Sequence, residues 1–400
     1  MDQLVRQNTM TAPDSLERVR ALQPLIARHA AEAEERGAIA PPVFEALKAA
    51  GLFRMTVARR AGGEGASLRT FVETVAEIAK TCAGTAWAYG LLSGTTGMVA
   101  SLPEAQHRLL FERGDELCCF VGMKCGAVRS GDGYLVTGQW PYASGSLHAD
   151  WALCGVIVRD ENGDQVESGQ VFIDLSSDDV EIVRDWNVAG MSASGSNRVK
   201  ADGHFVPADL FMRDSDMMNM AGLIGEAQLE PRDLWPIEPQ FGLTVLPATM
   251  GAVTGMLESV RQKMNDRPIL SWNYDRQSDS HLLLAKLGEA AIKIDSAWMH
   301  VYRACDVVDR IAQERVVTKM EKVKTQADCG YAMRLAREAA DILLDIAGPG
   351  AFVQSSTIQR QWRDLSVGSR HNALNTGLSL ELLGRALTGG KSNIKNMPEI

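Results

Sequence analysis

Residues 126–140 read GAVRSGDGYLVTGQW, in which two short β-type runs flank the turn sequence Gly131-Asp132-Gly133. This arrangement is typical of a β-hairpin, because glycine and aspartate tolerate the backbone angles of a tight turn. A second pair of runs, WALCGVIV and QVFIDL, is separated by the turn residues 160–164. Runs and turns of this kind recur from residue 117 to about 211, which predicts a small β-domain in sandwich or barrel form.

Helical patterns flank this β-rich segment on both sides. Before it, apolar residues such as Val19, Leu22 and Ile26 recur at helical spacing. After it, four long segments carry apolar stripes spaced by three to four residues, and Gly348-Pro349-Gly350 ends the third of them. These segments, which predict a helical bundle, are residues 243–263, 280–316, 327–347 and 358–386.

The chain length supports a division into several packed domains, because 400 residues exceed what one hydrophobic core usually organises. We therefore predict an α+β protein with three parts. They are an N-terminal helical domain over residues 1–115, a central β-domain over 116–215 and a C-terminal four-helix bundle domain over 216–400.

The composition narrows the classes of function. Lys and Arg number 41 against 50 Asp and Glu, and the net charge of −9 argues against binding to nucleic-acid phosphates. No stretch predicts a membrane span, and the first twenty residues lack the apolar core of a signal peptide. The cysteines form no CxxC pair and the histidines no HExxH pair, so no metal site is predicted. We expect a cytoplasmic protein that acts on small molecules.

Several phrases of the sequence resemble the acyl-CoA dehydrogenase superfamily. They are PPVFEALKAAGLFRM at residues 41–55, AGGEG at 61–65 and WNVAGMSASGSNRVKADGHFVP at 186–207. Two others, GQWPYASGSLHADWALCG at 138–155 and IQRQWRDLSVGSRHNALNTGLSLELLGRALTG at 358–389, resemble one branch of it. That branch is the oxygenase components of two-component flavin-dependent monooxygenases (group D), similar to 4-hydroxyphenylacetate and secosteroid phenol hydroxylases. The resemblance implies the acyl-CoA dehydrogenase fold over nearly the whole chain.

The resemblance also implies an activity and its partners. It implies hydroxylation of an aromatic substrate of the phenolic class, polycyclic and polyketide-type compounds included, through a C4a-hydroperoxyflavin formed from O2 and reduced FMN or FAD. No G-x-G-x-x-G motif follows a predicted strand, so the chain shows no NAD(P)H site of its own. A separate NAD(P)H:flavin reductase would supply the reduced flavin, and the fold generally forms homotetramers.

Two residues are implied to take part in the reaction. His371 matches a histidine that deprotonates a phenolic substrate, a task suited to an imidazole that titrates near neutrality. Ser144 matches a serine that faces the flavin N5 and C4a atoms. The structural alternatives are a histidine that packs in the bundle and a Ser-Gly turn without a function.

Further residues are implied to bind ligands. The cofactor-binding set is Trp140, Tyr142, Ser144, Ser194, Ser196 and Arg232, and the substrate-binding set is Trp87, Thr95, Cys119 and His371. Thr95 replaces a second histidine of the phenol hydroxylases. Glycines at 90, 94 and 97 either leave room there for a bulkier substrate or allow close helix packing.

Other functions remain open at this stage. A dehydrogenase needs a carboxylate base, and the resemblance places Asn372 at its usual position, although Glu238 lies close to a second possible position near Gln240 and Phe241. An N- or S-oxygenase would use the same fold on a substrate with its own lone pair. A non-catalytic flavin-fold scaffold would consume no oxygen.

Overall fold

The computed structural model describes residues 14–225 and 229–395, apart from the side chains of 221, 223 and 238–240. The N-terminal part is helical, as predicted. Ser67 caps one of its helices by accepting a hydrogen bond from the Thr70 N–H. The helices are α1 (Ser15–Arg36), α2 (Pro41–Ala49), α3 (Leu68–Ala79), α4 (Ala83–Val99) and α5 (Glu104–Leu110).

The central part is one mixed sheet. Its strands are β1 (Cys118–Ser130), β2 (Gly133–Ala143), β3 (Trp151–Arg159), β4 (Gln165–Asp174), β5 (Val180–Val183), β6 (Asn197–Pro207) and β7 (Phe211–Arg213). The strand order is β5-β6-β2-β1-β3-β4-β7, in which only β1 and β3 are parallel among the described strands. Both predicted hairpins are confirmed, β1 with β2 and β3 with β4. The expected sandwich or barrel is wrong, because the pairing gives a single open sheet with β5 and β7 at its edges.

The C-terminal part is again helical. Two short helices, α6 (Asp214–Met218) and α7 (Met220–Ile224), lead into α8 (Ile237–Lys263), α9 (His281–Ile311), α10 (Lys319–Ala347), α11 (Thr357–Gly368) and α12 (Thr376–Leu387). The segment predicted as one helix over 358–386 is therefore two helices. The break between them contains His371.

Helices from both ends of the chain share one hydrophobic core. α3 and α4 pack against α8, which also contacts α10 and α11, while α4 reaches β1 of the sheet. Within α8, Phe241–Lys263 is long and apolar enough to cross a membrane, so the expectation that no such stretch exists was wrong. Its most apolar window is 78% buried inside the protein, which is typical of a core helix.

Candidate active site

The turn that carries His371 interrupts the last predicted helix. α11 ends at Gly368, α12 begins at Thr376, and a 3-10 turn, Asn372–Leu374, lies between them. The His371 Nδ1 accepts a hydrogen bond from the Ala373 N–H at 3.2 Å, so the imidazole caps its own turn. This bond fixes the orientation of the ring.

A glutamine of α10 holds the same turn from outside. Gln326 Nε2 donates to the Ala373 carbonyl at 2.8 Å and to Ser379 Oγ at 2.9 Å. Thr376 Oγ1 donates to the Gly330 carbonyl at 2.7 Å, which ties the start of α12 to α10. These hydrogen bonds with α10 hold the turn and the start of α12 in place.

His371 lies in an aromatic environment. Its ring centroid is 5.7 Å from that of Trp87 and 5.4 Å from that of Phe241. Burial lowers the pKa of the imidazole below 6.5, so the ring is neutral near pH 7. A neutral ring whose Nδ1 accepts the Ala373 N–H carries its proton on Nε2. His371 lines a cavity, and no described residue hydrogen-bonds its Nε2, so that Nε2–H group is available as a donor.

Three buried serine hydroxyls, those of Ser144, Ser194 and Ser196, form a cluster next to Trp87. Ser196 Oγ is 2.6 Å from Ser144 Oγ and 2.7 Å from Ser194 Oγ, and Trp87 Nε1 donates to Ser144 Oγ at 3.3 Å. The three hydroxyls carry three protons, and the bonds within the serine cluster use two of them. One donor proton is left for a bound acceptor. Trp87 thus contacts the serine cluster and His371 together.

Left-handed backbone conformations bring the serines together. Tyr142 has a φ of 67°, and its carbonyl accepts from the Ser144 N–H at 2.9 Å. Gly145 has a φ of 78°, and its N–H donates to the Ser194 carbonyl at 2.9 Å. Glycine adopts positive φ without cost, whereas the tyrosine is locally strained. This strained turn ends β2, leaving Ser144 buried and Tyr142 68% exposed.

The serine cluster and Tyr142 fit a flavin. An isoalloxazine ring has carbonyl oxygens and a ring nitrogen that accept hydrogen bonds, and the unused hydroxyl proton of the serine cluster is a matching donor. Exposed Tyr142 packs edge-on against Trp186 at 6.0 Å, so an aromatic surface lies beside the same turn. These residues keep their predicted cofactor-binding role as a proposal.

The loop that leads into the serine cluster is docked on α11. A Cβ at Gly190 would lie 2.3 Å from the Arg363 carbonyl, so only glycine allows this approach. Arg363 donates to the Ala189 carbonyl, and the Asp364 carboxylate accepts from the Met191 N–H at 2.6 Å. The bundle therefore fixes the position of the serine cluster as well as that of His371.

Asp364 makes the stability of this junction dependent on pH. Burial raises the pKa of its carboxyl from 3.8 to about 6. The folded state therefore holds the proton more tightly than the unfolded state, and stability falls as pH rises from about 4 through 6.

Asp364→Asn keeps an oxygen for the Met191 N–H but cannot ionise. We expect it to be more stable than the parent at pH 8, by about 1–3 kcal/mol. The gain should shrink toward pH 4.5, and melting temperatures at the two pH values test this. A variant that melts lower than the parent at pH 8 would contradict the prediction.

A cavity of about 650 Å³ opens between the sheet and the helical bundle, with His371 in its wall. β1 contributes Phe120, Gly122 and Lys124, which lie on one face of the strand because side chains alternate along it. The remaining lining mixes polar and apolar residues, and its large apolar side chains are those of Met217, Met218, Ile237, Phe241, Leu378, Leu382 and Ile394. The cavity is large enough for a substrate of several rings.

Thr95 lies in a smaller pocket of about 40 Å³ that adjoins this cavity and shares Phe120 with it. Its predicted contact with substrate stays a prediction. The neighbouring Gly97 serves close packing, because a Cβ there would lie 2.2 Å from Thr56 Oγ1. The space for a large substrate therefore comes from the sheet–bundle cavity and not from the face of α4 around Gly97.

Trp140 and Cys119 are core residues of the sheet, and their predicted roles in binding flavin and substrate stay predictions. Trp140 is fully buried, and its Nε1 donates to the Gly155 carbonyl at 2.8 Å. Cys119 is fully buried too, and burial raises the pKa of its thiol to about 12. Because side chains alternate along a strand, Phe120 and not Cys119 faces the cavity.

Arg232 is buried between α4 and Trp235, and its predicted role in flavin binding stays a prediction. Its Nη2 donates to the Gly94 carbonyl at 3.3 Å, and its guanidinium lies 4.6 Å from the centre of the Trp235 ring. Burial lowers its pKa to about 10. These contacts connect the segment before α8 to α4.

Sequence reasoning missed several lining residues. Phe120 could have been found from the alternation of β1, once Cys119 was assigned to the core. Gln170 of β4 gave no signal, because it enters the wall only through the pairing of β1, β3 and β4. Asn372 lines the cavity at the dehydrogenase base position, and an amide cannot take up a proton there. The side chain of Glu238 lies outside the described part of the chain.

Comparison with known protein families gives two matches, one in each half of the chain. Residues 17–108 match the family "Acyl-CoA dehydrogenase, N-terminal domain", and residues 243–376 match "Acyl-CoA dehydrogenase, C-terminal domain". The two matches together span more than half of the chain.

Similar individual proteins cover almost the whole chain. A pigment production hydroxylase from Rhodococcus is 26% identical over 94% of this chain and 96% of its own length. The oxygenase component of an FADH2-dependent resorcinol hydroxylase from Rhizobium is 25% identical over 93% of both chains. The structure of XiaF from Streptomyces in complex with FADH2 and glycerol has a TM-score of 0.89 at 27% identity, over 96% of this chain and 97% of its own. The chain therefore belongs to the acyl-CoA dehydrogenase family, in its branch of flavin-dependent monooxygenase oxygenase components.

Proposed function

We propose that this protein hydroxylates a phenolic aromatic substrate of more than one ring, using O2 and reduced FMN or FAD. The observation that carries the proposal is the arrangement of Trp87, which contacts the serine cluster on one side and His371 on the other. The serine cluster, as a donor for the flavin, and the His371 Nε2–H, as a donor for the substrate, are therefore separated only by the Trp87 side chain. His371 lines the cavity. The names of the resorcinol hydroxylase and pigment production hydroxylase support the substrate class.

The residues of this chain would divide the work as follows. Bound reduced flavin supplies the electrons that activate O2 for transfer of one oxygen atom. The serine cluster would donate a hydrogen bond from its free hydroxyl to the flavin edge, and apolar residues of the lining, including Phe120 and Phe241, would exclude water. Exclusion of water protects the activated oxygen from release as hydrogen peroxide.

His371 would bind the substrate oxygen as a hydrogen-bond donor. The resemblance implies a base, but an imidazole with its proton on Nε2 cannot accept a second proton there. We infer that the substrate binds as its phenolate, its proton having passed to solvent, and that Nε2–H stabilises this anion by a hydrogen bond. The ring carbon next to the phenolate oxygen is a better nucleophile than that of a neutral phenol. The lowered pKa keeps the ring in this neutral, donating form.

The test is a single turnover with isotopically labelled oxygen. The protein is loaded anaerobically with reduced FMN or FAD and a naphthol, and then mixed with ¹⁸O2. We expect one ¹⁸O atom in a dihydroxynaphthalene product, with more product from the preferred flavin. Complete conversion of O2 to hydrogen peroxide, with no oxygenated product from naphthols or resorcinol, would contradict the proposal.

The partners follow from the same proposal. Without a nucleotide-binding motif, the chain would depend on a separate NAD(P)H:flavin reductase in the cytoplasm.

We also propose a homotetramer, because Ile292 and Met299, seven residues apart on one face of α9, are 60% and 67% exposed. Light scattering should give four times the chain mass of 43.5 kDa. The double variant Ile292→Glu and Met299→Glu should give a smaller species. A parent that is monomeric at micromolar concentration would refute the tetramer.

A further inference from the structure

A polar patch interrupts the apolar lining on the sheet wall of the cavity. It consists of Lys124, Gln170 and Asp214, all of which line the cavity. Lys124 on β1 and Gln170 on β4 lie in one row across the sheet, because both pair in register with Gly155 of β3. His371 belongs to the bundle wall, so a ligand that contacts both must span the cavity.

Lys124 and Asp214, two members of the patch, form an ion pair with each other. Lys124 Nζ pairs with the Asp214 carboxylate and donates to Ser168 Oγ at 2.5 Å, and Ser168 Oγ donates to Asp214 at 2.6 Å. This closed set of bonds balances its own charge. It leaves no net charge to attract an ionic ligand.

Gln170 is different, because half of its amide has no partner. Its side chain is only 4% exposed and lies beside Asp214, whose carboxylate can only accept. Its Oε1 is buried without a hydrogen bond from any described residue. A buried acceptor left unpaired is costly, which makes a ligand donor at this position favourable.

We propose that Gln170 selects the substrate, accepting a hydrogen bond at Oε1 from a second hydroxyl or N–H group far from the reacting ring. This inference rests on the proposed function and narrows its substrate class. The substrate is a fused-ring phenol with a second neutral donor, held by His371 at one end and by Gln170 at the other. A distal carboxylate is disfavoured, because it would face both Oε1 and Asp214.

The test measures binding rather than turnover. Dissociation constants are determined by anaerobic titration of the reduced-flavin holoenzyme with 1- and 2-naphthol, the 1,5-, 1,6-, 2,6- and 2,7-dihydroxynaphthalenes, and their monomethyl ethers. We expect at least one diol to bind about tenfold more tightly than its parent naphthol. The corresponding methyl ether, which retains the oxygen but cannot donate, should lose this preference.

Variants then assign the preference to Gln170. Gln170→Met removes the acceptor and keeps a side chain of similar size. The variant protein should bind the diol and the naphthol equally well. Gln170→Leu serves as a second variant. Gln165→Met carries the same change at an exposed position of the same strand and should keep the preference of the parent.

The possible outcomes separate the two proposals. If no diol is preferred, if the methyl ether binds as tightly as the diol, or if folded Gln170→Met keeps the preference, the role of Gln170 is overturned. If the preference depends on Gln170 but no naphthol is oxygenated, the Gln170 subsite stands and the proposed reaction fails. If naphthols are oxygenated without any diol preference, the reaction stands and the subsite fails.

Discussion

Replacement of His371 by alanine is expected to lower the rate of phenol hydroxylation by about 10²–10³-fold, while reduced flavin is still oxidised by O2. The variant loses the Nε2–H group that stabilises the phenolic oxygen, so the activated oxygen decays to hydrogen peroxide. Hydroxylated product, measured by chromatography, should fall as hydrogen peroxide rises. Total oxygen consumption should change little, because the serine cluster remains.

Two further substitutions separate the functions of the two ring nitrogens. In His371→Asn, Oδ1 replaces Nδ1 as the acceptor for the Ala373 N–H, so the turn is kept while the donor is lost. In His371→Gln, the amide nitrogen lies near the former Nε2 and can donate, but an amide cannot act as a base. We expect Asn to be as inactive as alanine, and Gln to retain product formation within about tenfold of the parent.

These variants also address the competing interpretations. If His371→Gln is as inactive as alanine while folded, the histidine acts as a base and the donor role is wrong. If His371→Ala retains full product formation on a phenol, neither role is correct. An amine or thioether brings its own lone pair and needs no phenolic charge. Its N- or S-oxygenation should therefore be insensitive to all three substitutions.

Ser144→Ala is expected to have the second largest effect, on the fate of the activated oxygen. Ser144 accepts from Trp87 and contacts Ser196 at 2.6 Å, so its loss disrupts the serine cluster and with it the proposed donor to the flavin. Product formed per O2 consumed should fall to about one tenth. Substrate affinity should change less than twofold, because no substrate contact is removed.

Ser192→Ala provides the matched control for Ser144. Ser192 belongs to the same loop, but its hydroxyl is already committed to the Val188 carbonyl at 3.2 Å. This variant should couple oxygen consumption to product as the parent does. If both variants couple oxygen consumption to product as the parent does, the serine cluster does not control the activated oxygen. Loss of coupling in both would point to general disorder of the loop.

The order of secondary structure was predictable because its signals are local. The hairpin turn at 131–133 and the helix end at Gly348 depend on the backbone preferences of glycine, and the bundle helices on short-range periodicity. The break at His371 was missed because apolar residues on both sides of it, Val367, Leu374 and Leu378, keep helical spacing although most residues between them are polar. The signal for it is Asn375, whose side chain caps α12 by accepting from the Leu378 N–H.

The site was predictable only where a residue lies in a recognisable phrase. His371 and Ser144 lie in such phrases, and the structure places both next to Trp87, while their roles stay predictions. The prediction named Cys119, whereas its neighbour Phe120 lines the cavity. A shift of one residue on a strand moves the side chain to the opposite face. Gln170 depends on long-range strand pairing, which no local pattern of a single sequence encodes.

The bonded turn around His371 has a thermodynamic consequence. The imidazole is held in place by the Ala373 N–H, and Gln326 holds the Ala373 carbonyl, before any substrate arrives. Little conformational entropy is therefore lost on this wall when a substrate binds, so more of the contact energy is expressed as affinity. Adaptation to substrates of different shape falls instead to Met217 and Met218, whose flexible side chains line the same cavity. The protein thus combines a preorganised reacting end with an adjustable wall.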